Sequence, residues 1–258
     1  MKFVRFEVEN KWSYGILKND IVHPVQGSIY HDFTESEAAY RLDEVKLLAP
    51  CEPSKILCVG LNYSDHAAEV GLTIPKWPVI FMKPPTTVIG PEENIIYPSS
   101  FVKRLDFEAE LAVVIKKKAR YVAEDKALEF VLGYTCGNDI TARNLQPKEG
   151  QWTVSKSFDT FMPLGPVIVS DLGWDNLDIQ CIHNGMVKQS SNTRNLIWGV
   201  PFLVSYLSQV MTLLPGDVII TGTPSGISSM EPGDRVSVSI TGIGELRNTV
   251  AKQKERTQ

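Results

Sequence analysis

Glu108 and Glu110 stand two residues apart at the head of an apolar run, Leu111-Ala112-Val113-Val114-Ile115. Glu108 to Ile115 reads as a strand, and alternate side chains of a strand share a face. The two carboxylates therefore point the same way, and Asp106 falls on that face too. Like charges held side by side repel, and a cation between them removes the conflict. So apolar a strand is expected to be central and buried, and a buried carboxylate needs a paired charge or a metal. Glu-x-Glu by itself is more often a solvated strand face, so the motif opens a metal reading without closing it.

Four further segments carry polar groups that could serve such a site. Asn138-Asp139 ends one apolar run and begins a stretch with helical spacing as far as Gln146. Asp139, Arg143 and Gln146 fall at i, i+4 and i+7, on one helical face, where an acid, a guanidinium and an amide could line a pocket. Taken alone, Asp139 suits an N-cap, and its pairing with Arg143 suits an exposed ion pair worth roughly 0.3 kcal/mol. Lys156 lies between small and apolar residues in Val154-Ser155-Lys156-Ser157-Phe158, where an exposed strand end is the ordinary explanation. Ile219-Ile220-Thr221-Gly222-Thr223-Pro224-Ser225-Gly226 runs from a buried-type strand into a Gly-rich turn. Amides and hydroxyls at such a turn suit a carboxylate or phosphate, although no Gly-Lys-Ser/Thr follows to make a phosphate-binding P-loop. His66 and Glu69 stand at i and i+3 on a short predicted helix. A carboxylate against an imidazole raises its pKa and orients it for general acid–base work. A surface His–Glu pair is the ordinary explanation of that spacing.

The elements that must bring these segments together are mostly strands. Short strand patterns cover Val79 to Met82, Val131 to Asn138, Gly165 to Val169, Leu177 to Ile182, Val218 to Thr221 and Arg235 to Ile240. Helical spacing marks Asp65 to Val70, Glu124 to Phe130, Asp139 to Gln146 and Trp198 to Gln209. On the last of these it favours the core for Trp198, Phe202 and Tyr206, with an interface as the alternative. Asn184-Gly185 between apolar residues predicts a hairpin. Pro215-Gly216-Asp217 and Pro232-Gly233-Asp234 each predict a turn into a strand. So few helices do not alternate with strands, which argues against a doubly wound sheet. The expected class is a mixed, β-dominated α+β fold with a rolled or barrel-like sheet. Residues 1–50 are expected to form a small N-terminal β-rich domain, and Pro50 and Pro53 mark its boundary with 51–258.

Composition narrows the partners. The 258 residues are 43% hydrophobic with a formal net charge of −4, which suits a packed core and offers no basic patch for nucleic acid. No apolar run approaches the roughly 20 residues of a membrane span. Met1-Lys2-Phe3-Val4-Arg5-Phe6-Glu7-Val8 alternates like a strand and is not a signal peptide, so a cytoplasmic location is expected. Cys51, Cys58, Cys136 and Cys181 form no Cys-x-x-Cys pair and are expected to be reduced and buried.

Taken together, the segments resemble the fumarylacetoacetate hydrolase family from about Lys55 to Val250. The resemblance rests on Gly60-Leu61-Asn62-Tyr63 with His66 and Glu69, Phe81-Met82-Lys83-Pro84, Asp106-Phe107-Glu108-Ala109-Glu110-Leu111, and Asn138-Asp139 with Thr141-Ala142-Arg143 and Gln146. It continues through Lys156-Ser157-Phe158-Asp159, Asn184-Gly185 with Gln189, and Pro215-Gly216-Asp217 with Thr221-Gly222-Thr223-Pro224 and Gly226. It implies a β-roll catalytic domain over 51–258 beside the small N-terminal domain, and a homodimer. It also implies Glu108, Glu110 and Asp139 as metal ligands, and an all-oxygen set suits Mg²⁺ or Mn²⁺. Arg143, Gln146, Lys156 and Thr223 would hold a small 2-oxo acid, with Lys156 counted among the catalytic residues as well. Glu69 would polarise His66, which would deprotonate water.

The implied chemistry is a metal-stabilised enolate, used to hydrolyse acylpyruvates or decarboxylate oxaloacetate-like substrates. The alternative is an isomerase/decarboxylase of 2-oxo-heptenedioate-type intermediates of aromatic (homoprotocatechuate) catabolism. A non-catalytic binding protein on the same fold would be expected to have lost ligand positions, and all three are present here with the His–Glu pair.

Overall fold

The computed structural model describes residues 1–65, 76–98 and 100–254. Strands dominate it, as expected, in a 13-stranded and a 5-stranded sheet with a small 3-stranded one beside them. The main path of the large sheet runs Phe33–Glu35, Ile21–Gly27, Lys11–Lys18, Lys2–Val8, Met162–Val169, Val131–Asn138, Ala109–Ile115, Val218–Ile220, Ile56–Gly60 and Val79–Lys83. Most pairs are antiparallel, but Val218–Ile220 runs parallel to Ile56–Gly60, so the sheet is mixed. The N-terminal strands join it through Lys2–Val8, which pairs with Met162–Val169.

Ala109–Ile115 lies between Val131–Asn138 and Val218–Ile220, with every residue buried. Both faces are covered, which accounts for an almost unbroken apolar sequence. Leu111, Val113 and Ile115 share a hydrophobic cluster with Val200, Leu203, Val204 and Leu207 of the helix Val200–Val210. Ala112 and Val114 belong to a second cluster with Ile56, Cys58, Phe81 and Ile220. Glu110 stands on this second face by alternation.

The second sheet, in the order Asn94–Tyr97, Gly244–Lys252, Arg235–Ile240, Asp178–His183 and Met186–Asn192, contains the expected hairpin. Asn184 and Gly185 both have positive φ, 50° and 78°, as a two-residue turn of this type requires. The four cysteines are free and buried. No helix among the described residues is long and apolar enough to cross a membrane.

Glu124–Phe130 is helical as expected, in 3₁₀ form. Two expectations change. Asp139 to Gln146 is not a continuous helix. Thr141–Ala142 pairs with Leu105–Asp106, and a single 3₁₀ turn, Arg143–Leu145, follows. Sheet pairing here overrides the local helical spacing. Phe202 and Tyr206 do not occupy the core, because the buried stripe of their helix is Val200, Leu203, Val204 and Leu207. They stack on each other at its margin, with ring centroids 5.7 Å apart. Trp198 is likewise only partly buried.

Asp217, fully buried at the head of Val218–Ile220, ties the linker to the sheet. Its Oδ1 accepts from Ser54 N, Ser54 Oγ and Lys55 N, and its Oδ2 accepts from Leu214 N at 2.8 Å and pairs with Lys55 Nζ. Asp217→Ala strands all of these donors. It should lower the unfolding free energy in urea by about 3 kcal/mol, and Asp217→Asn, which keeps one acceptor oxygen, should cost less.

Candidate metal centre

Glu110 enters the site from the first residues of the central strand. Glu108 comes from the break just before that strand, because the ladder stops after Leu105–Asp106 and resumes at Ala109. The break corrects the expectation that three acids share one strand face. Asp106 turns instead to Arg104 Nε and Arg143 Nε, both at 2.8 Å. Asp139 follows directly on Val131–Asn138, the neighbouring strand. Two backbone-linked bonds fix the junction: Asp139 N–H donates to Glu108 O at 2.9 Å, and Glu108 N–H donates to Asn138 Oδ1 at 3.0 Å.

Carboxylate oxygens of Glu108, Glu110 and Asp139 lie within 4.8 Å of one another, and all three residues are buried. Cations surround them. Lys156 Nζ lies 2.8 Å from Glu108 Oε2 and 2.6 Å from Asp139 Oδ2. Arg143 pairs with Glu108 Oε1. Lys83, less than 2% exposed, places Nζ 2.6 Å from Asp139 Oδ1 and donates to Ile140 O and Phe161 O. Lys156 closes a one-turn helix, Thr153–Lys156, rather than an exposed strand end, and is itself buried.

The charges shape one another's protonation. Burial alone would raise Glu108, but Lys156 and Arg143 outweigh it and hold the carboxyl down at about 2. Burial pushes Glu110 well above the ordinary carboxylate range, and the charges of Asp139 and Glu108 add to it. Burial disfavours the Lys156 ammonium, yet Asp139 and Glu108 raise its pKa to about 12. At Lys83 burial dominates and lowers the pKa, in spite of Asp139.

This arrangement fits a divalent cation. Among the described residues no side-chain cation is within ion-pair distance of Glu110, whose Oε2 accepts only the Gly222 N–H, at 2.6 Å. Asp139 Oδ1 accepts no hydrogen bond beyond its ion pair with Lys83. Open lone pairs on clustered, buried carboxylates are what a hard cation needs, and oxygen-only donors suit Mg²⁺ or Mn²⁺.

A cleft of about 70 Å³ opens beside the three acids. Arg143, Gln146, Lys156 and Thr223 line it with them, and Val59, Leu61, Phe81, Trp152 and Ile227 form an apolar wall. Seven of the nine residues singled out in the sequence thus meet at one place. His66 and Glu69 lie outside the described residues. Arg143 and Gln146 touch, Arg143 Nη1 donating to Gln146 Oε1, although across a 3₁₀ turn rather than along a helix. The Gly-rich turn does bind a carboxylate through an amide, but the carboxylate is Glu110 of the same chain.

Lys83 was missed on its chemistry. Strand parity carried the signal, since Phe81 and Lys83 alternate inward against an exposed Met82. Gln189, also fully buried, gave no such signal in a strand whose other residues are mostly exposed.

A strand-dominated fold here carries, at a cleft, a buried carboxylate triad that could hold a metal ion. Residues 55–251 match the family described as fumarylacetoacetate (FAA) hydrolase C-terminal, and residues 1–50 match one described as Rv2993c-like, N-terminal. The chain belongs to the fumarylacetoacetate hydrolase family. A mitochondrial oxaloacetate tautomerase of Rattus norvegicus is 41% identical over 219 residues, 80% of this chain and 70% of that one. A 5-carboxymethyl-2-hydroxymuconate delta-isomerase of Mycobacterium smegmatis superposes with a TM-score of 0.92 at 39% identity, over 98% of this chain and all of that one. A maleylpyruvate hydrolase of Sphingobium sp. SYK-6, solved with manganese(II) and pyruvate, superposes with a TM-score of 0.83 at 27% identity over the same shares. The family's members include enzymes of isomerase, hydrolase and tautomerase type.

Removing one side of a buried pair leaves the other charge without compensation. Lys83→Met, close in size, should therefore lower the unfolding free energy by about 3 kcal/mol in urea with EDTA present. A loss below about 1 kcal/mol would show that Asp139 does not depend on this lysine.

Proposed function

We propose that this chain is a divalent-metal-dependent enzyme of short 2-oxo acids, and that it prefers dianionic 2-oxodicarboxylates such as oxaloacetate to monoanionic acylpyruvates. One observation carries the preference. Asp106, Glu108, Glu110 and Asp139 are matched by four cations, Arg104, Lys83, Arg143 and Lys156. A divalent ion added to a set so balanced leaves about two positive charges, which a dianion neutralises.

Glu108, Glu110 and Asp139 would hold Mg²⁺ or Mn²⁺. When bound, the ion supplies Lewis-acid polarisation of a 2-oxo carbonyl, which acidifies the carbon beside it. Arg143 uses three of its five N–H groups on Asp106, Glu108 and Gln146, so two are left for a substrate carboxylate. Gln146 fixes the guanidinium from the cleft side. Lys156 uses two of its three protons on Glu108 and Asp139, and the third faces no carboxylate among the described residues. It holds positive charge where electrons accumulate in decarboxylation or keto–enol exchange. Thr223 forms part of the wall that receives the substrate. His66 and Glu69 enter on the family resemblance, as the base pair that would activate water in a hydrolytic reaction.

Isomerisation of longer ring-cleavage dioates is the second reading, favoured by the likeness to the Mycobacterium smegmatis isomerase along almost the whole chain. The matched spans support a division of the chain near residue 50. A homodimer belongs to the same proposal and is tested by light scattering.

Oxaloacetate and acetylpyruvate assayed side by side with Mn²⁺ test the preference. Turnover of oxaloacetate should be abolished by EDTA, restored by Mn²⁺ or Mg²⁺, and exceed that of acetylpyruvate. EDTA-resistant turnover would sink the metal reading, and preference for acetylpyruvate would sink the charge argument. Glu110→Gln should weaken Mn²⁺ binding by about 100-fold, read by electron paramagnetic resonance. Glu69→Gln should abolish any acylpyruvate hydrolysis while leaving Mn²⁺ affinity intact, and a parallel loss of both would remove the assigned division of roles.

A further inference from the structure

Gln189 is fully buried on the edge strand Met186–Asn192, between exposed Lys188 and exposed Ser190. The hairpin register explains why it turns inward. Cys181 faces Gln189 and Ile182 faces Val187, so Lys188 is an extra residue, a bulge. Bulges re-aim the side chains next to them. The Gly-rich turn packs onto this bulge. Gly226 has φ +94°, and a Cβ there would stand 2.1 Å from Lys188 O.

Three of the four hydrogen bonds open to the Gln189 amide go to the metal-site elements. Its Oε1 accepts from Ala109 N–H at 2.9 Å, between Glu108 and Glu110. Its Nε2 donates to Thr223 Oγ1 and to Pro224 O, each at 2.8 Å. The Thr223 hydroxyl then donates to Ala109 O at 2.9 Å. One side chain of the second sheet thus closes a ring between the first residue of the central strand and the turn that walls the cleft.

The other end of that turn is held separately. Thr221 Oγ1 donates to Leu111 O, and Asn62 Nδ2 donates to Thr221 O. These bonds keep Gly222 N–H on Glu110 without help from Gln189.

We propose that Gln189 is a positioning residue that sets Thr223 and Pro224 against the central strand, and so sets the affinity of the cleft for its organic ligand rather than for the metal. The ligand half rests on the function proposed above. The fixing of the turn does not.

Gln189→Glu tests both. The carboxylate still accepts from Ala109 N–H but cannot donate, and it places oxygen against Thr223 Oγ1 and Pro224 O. Hydrogen exchange of the metal-free, ligand-free protein should speed up by about ten-fold or more in the segment 223–227, with 109–115 unchanged. Titration with pyruvate in the presence of Mn²⁺ should show about ten-fold weaker binding, while Mn²⁺ affinity stays within about three-fold of the parent. Unchanged exchange in 223–227 would overturn the positioning role. Equal losses of Mn²⁺ and pyruvate affinity would also overturn it, making Gln189 a general brace of the centre. If the parent protein binds Mn²⁺ but no pyruvate, the function proposed above fails, and exchange alone decides Gln189. Gln189→Met removes the donors without adding charge, and with them the acceptor of Ala109 N–H; should the Glu variant not fold, it gives the same readouts, with faster exchange expected at Ala109 as well as in 223–227 and with 110–115 unchanged.

Discussion

Three carboxylates within 4.8 Å, buried in an apolar sheet, set the terms for everything around them. Such a cluster is unstable unless each charge is matched or neutralised. The fold answers with three cations from three different elements: Lys83 at the end of a strand, Lys156 at the end of a one-turn helix and Arg143 in a 3₁₀ turn. Asp106 then restrains Arg143, and Arg104 matches Asp106. Among the described residues Glu110 is the member without a side-chain cation, and it is also the one whose carboxyl is pushed upward by burial and by its neighbours. The site is thus balanced except where a further cation would enter.

Rigid placement of such a cluster needs a rigid frame. The central strand provides it because both of its faces are covered, one by the apolar residues of Asp178–His183 and Arg235–Ile240 in the second sheet and the other by the cluster around Ile56, Cys58 and Ile220. Glu110 shares a face with Ala112 and Val114, so a register slip of one residue would carry it to the opposite face. Asp139 gains its position from the neighbouring strand, and the Asn138 side chain locks the two strand ends together.

Much of this was legible in the sequence, and the reasons are local. Central strands announce themselves by apolar runs, so Val131–Asn138 and Arg235–Ile240 appear with the expected bounds. Asn184-Gly185 fixed the hairpin because few dipeptides accept two positive φ values. Long-range pairing was not legible. Nothing in Asp139 to Gln146 shows that Thr141–Ala142 will bond to Leu105–Asp106, so the helical spacing misled. The break after Asp106 was hidden for the same reason, since it depends on which sheet each half joins. Lys83 was hidden by its type, because lysine is rarely buried without a partner and that partner lies 56 positions away at Asp139.

Neutrality of the protein frame has a chemical consequence. A centre built only from acids would hold a metal tightly but repel an anionic ligand. A centre with matched cations gains net positive charge when the metal binds, and that charge is directed at the ligand. Matching also spares Lys156 and Arg143 from full commitment, because each has more protons than the carboxylates use. Under the proposed function, Arg143 and Lys156 would therefore support the protein charges and receive a substrate without breaking a pair. Moving either cation away from its carboxylate would cost twice, once in the strain of an unpaired buried acid and once in the lost recognition of the anion. Under the proposed function, stability and ligand binding would depend on the same few contacts, so residues that look structural, Asp106 and Lys83 among them, would bear on the chemistry through the groups they hold in place.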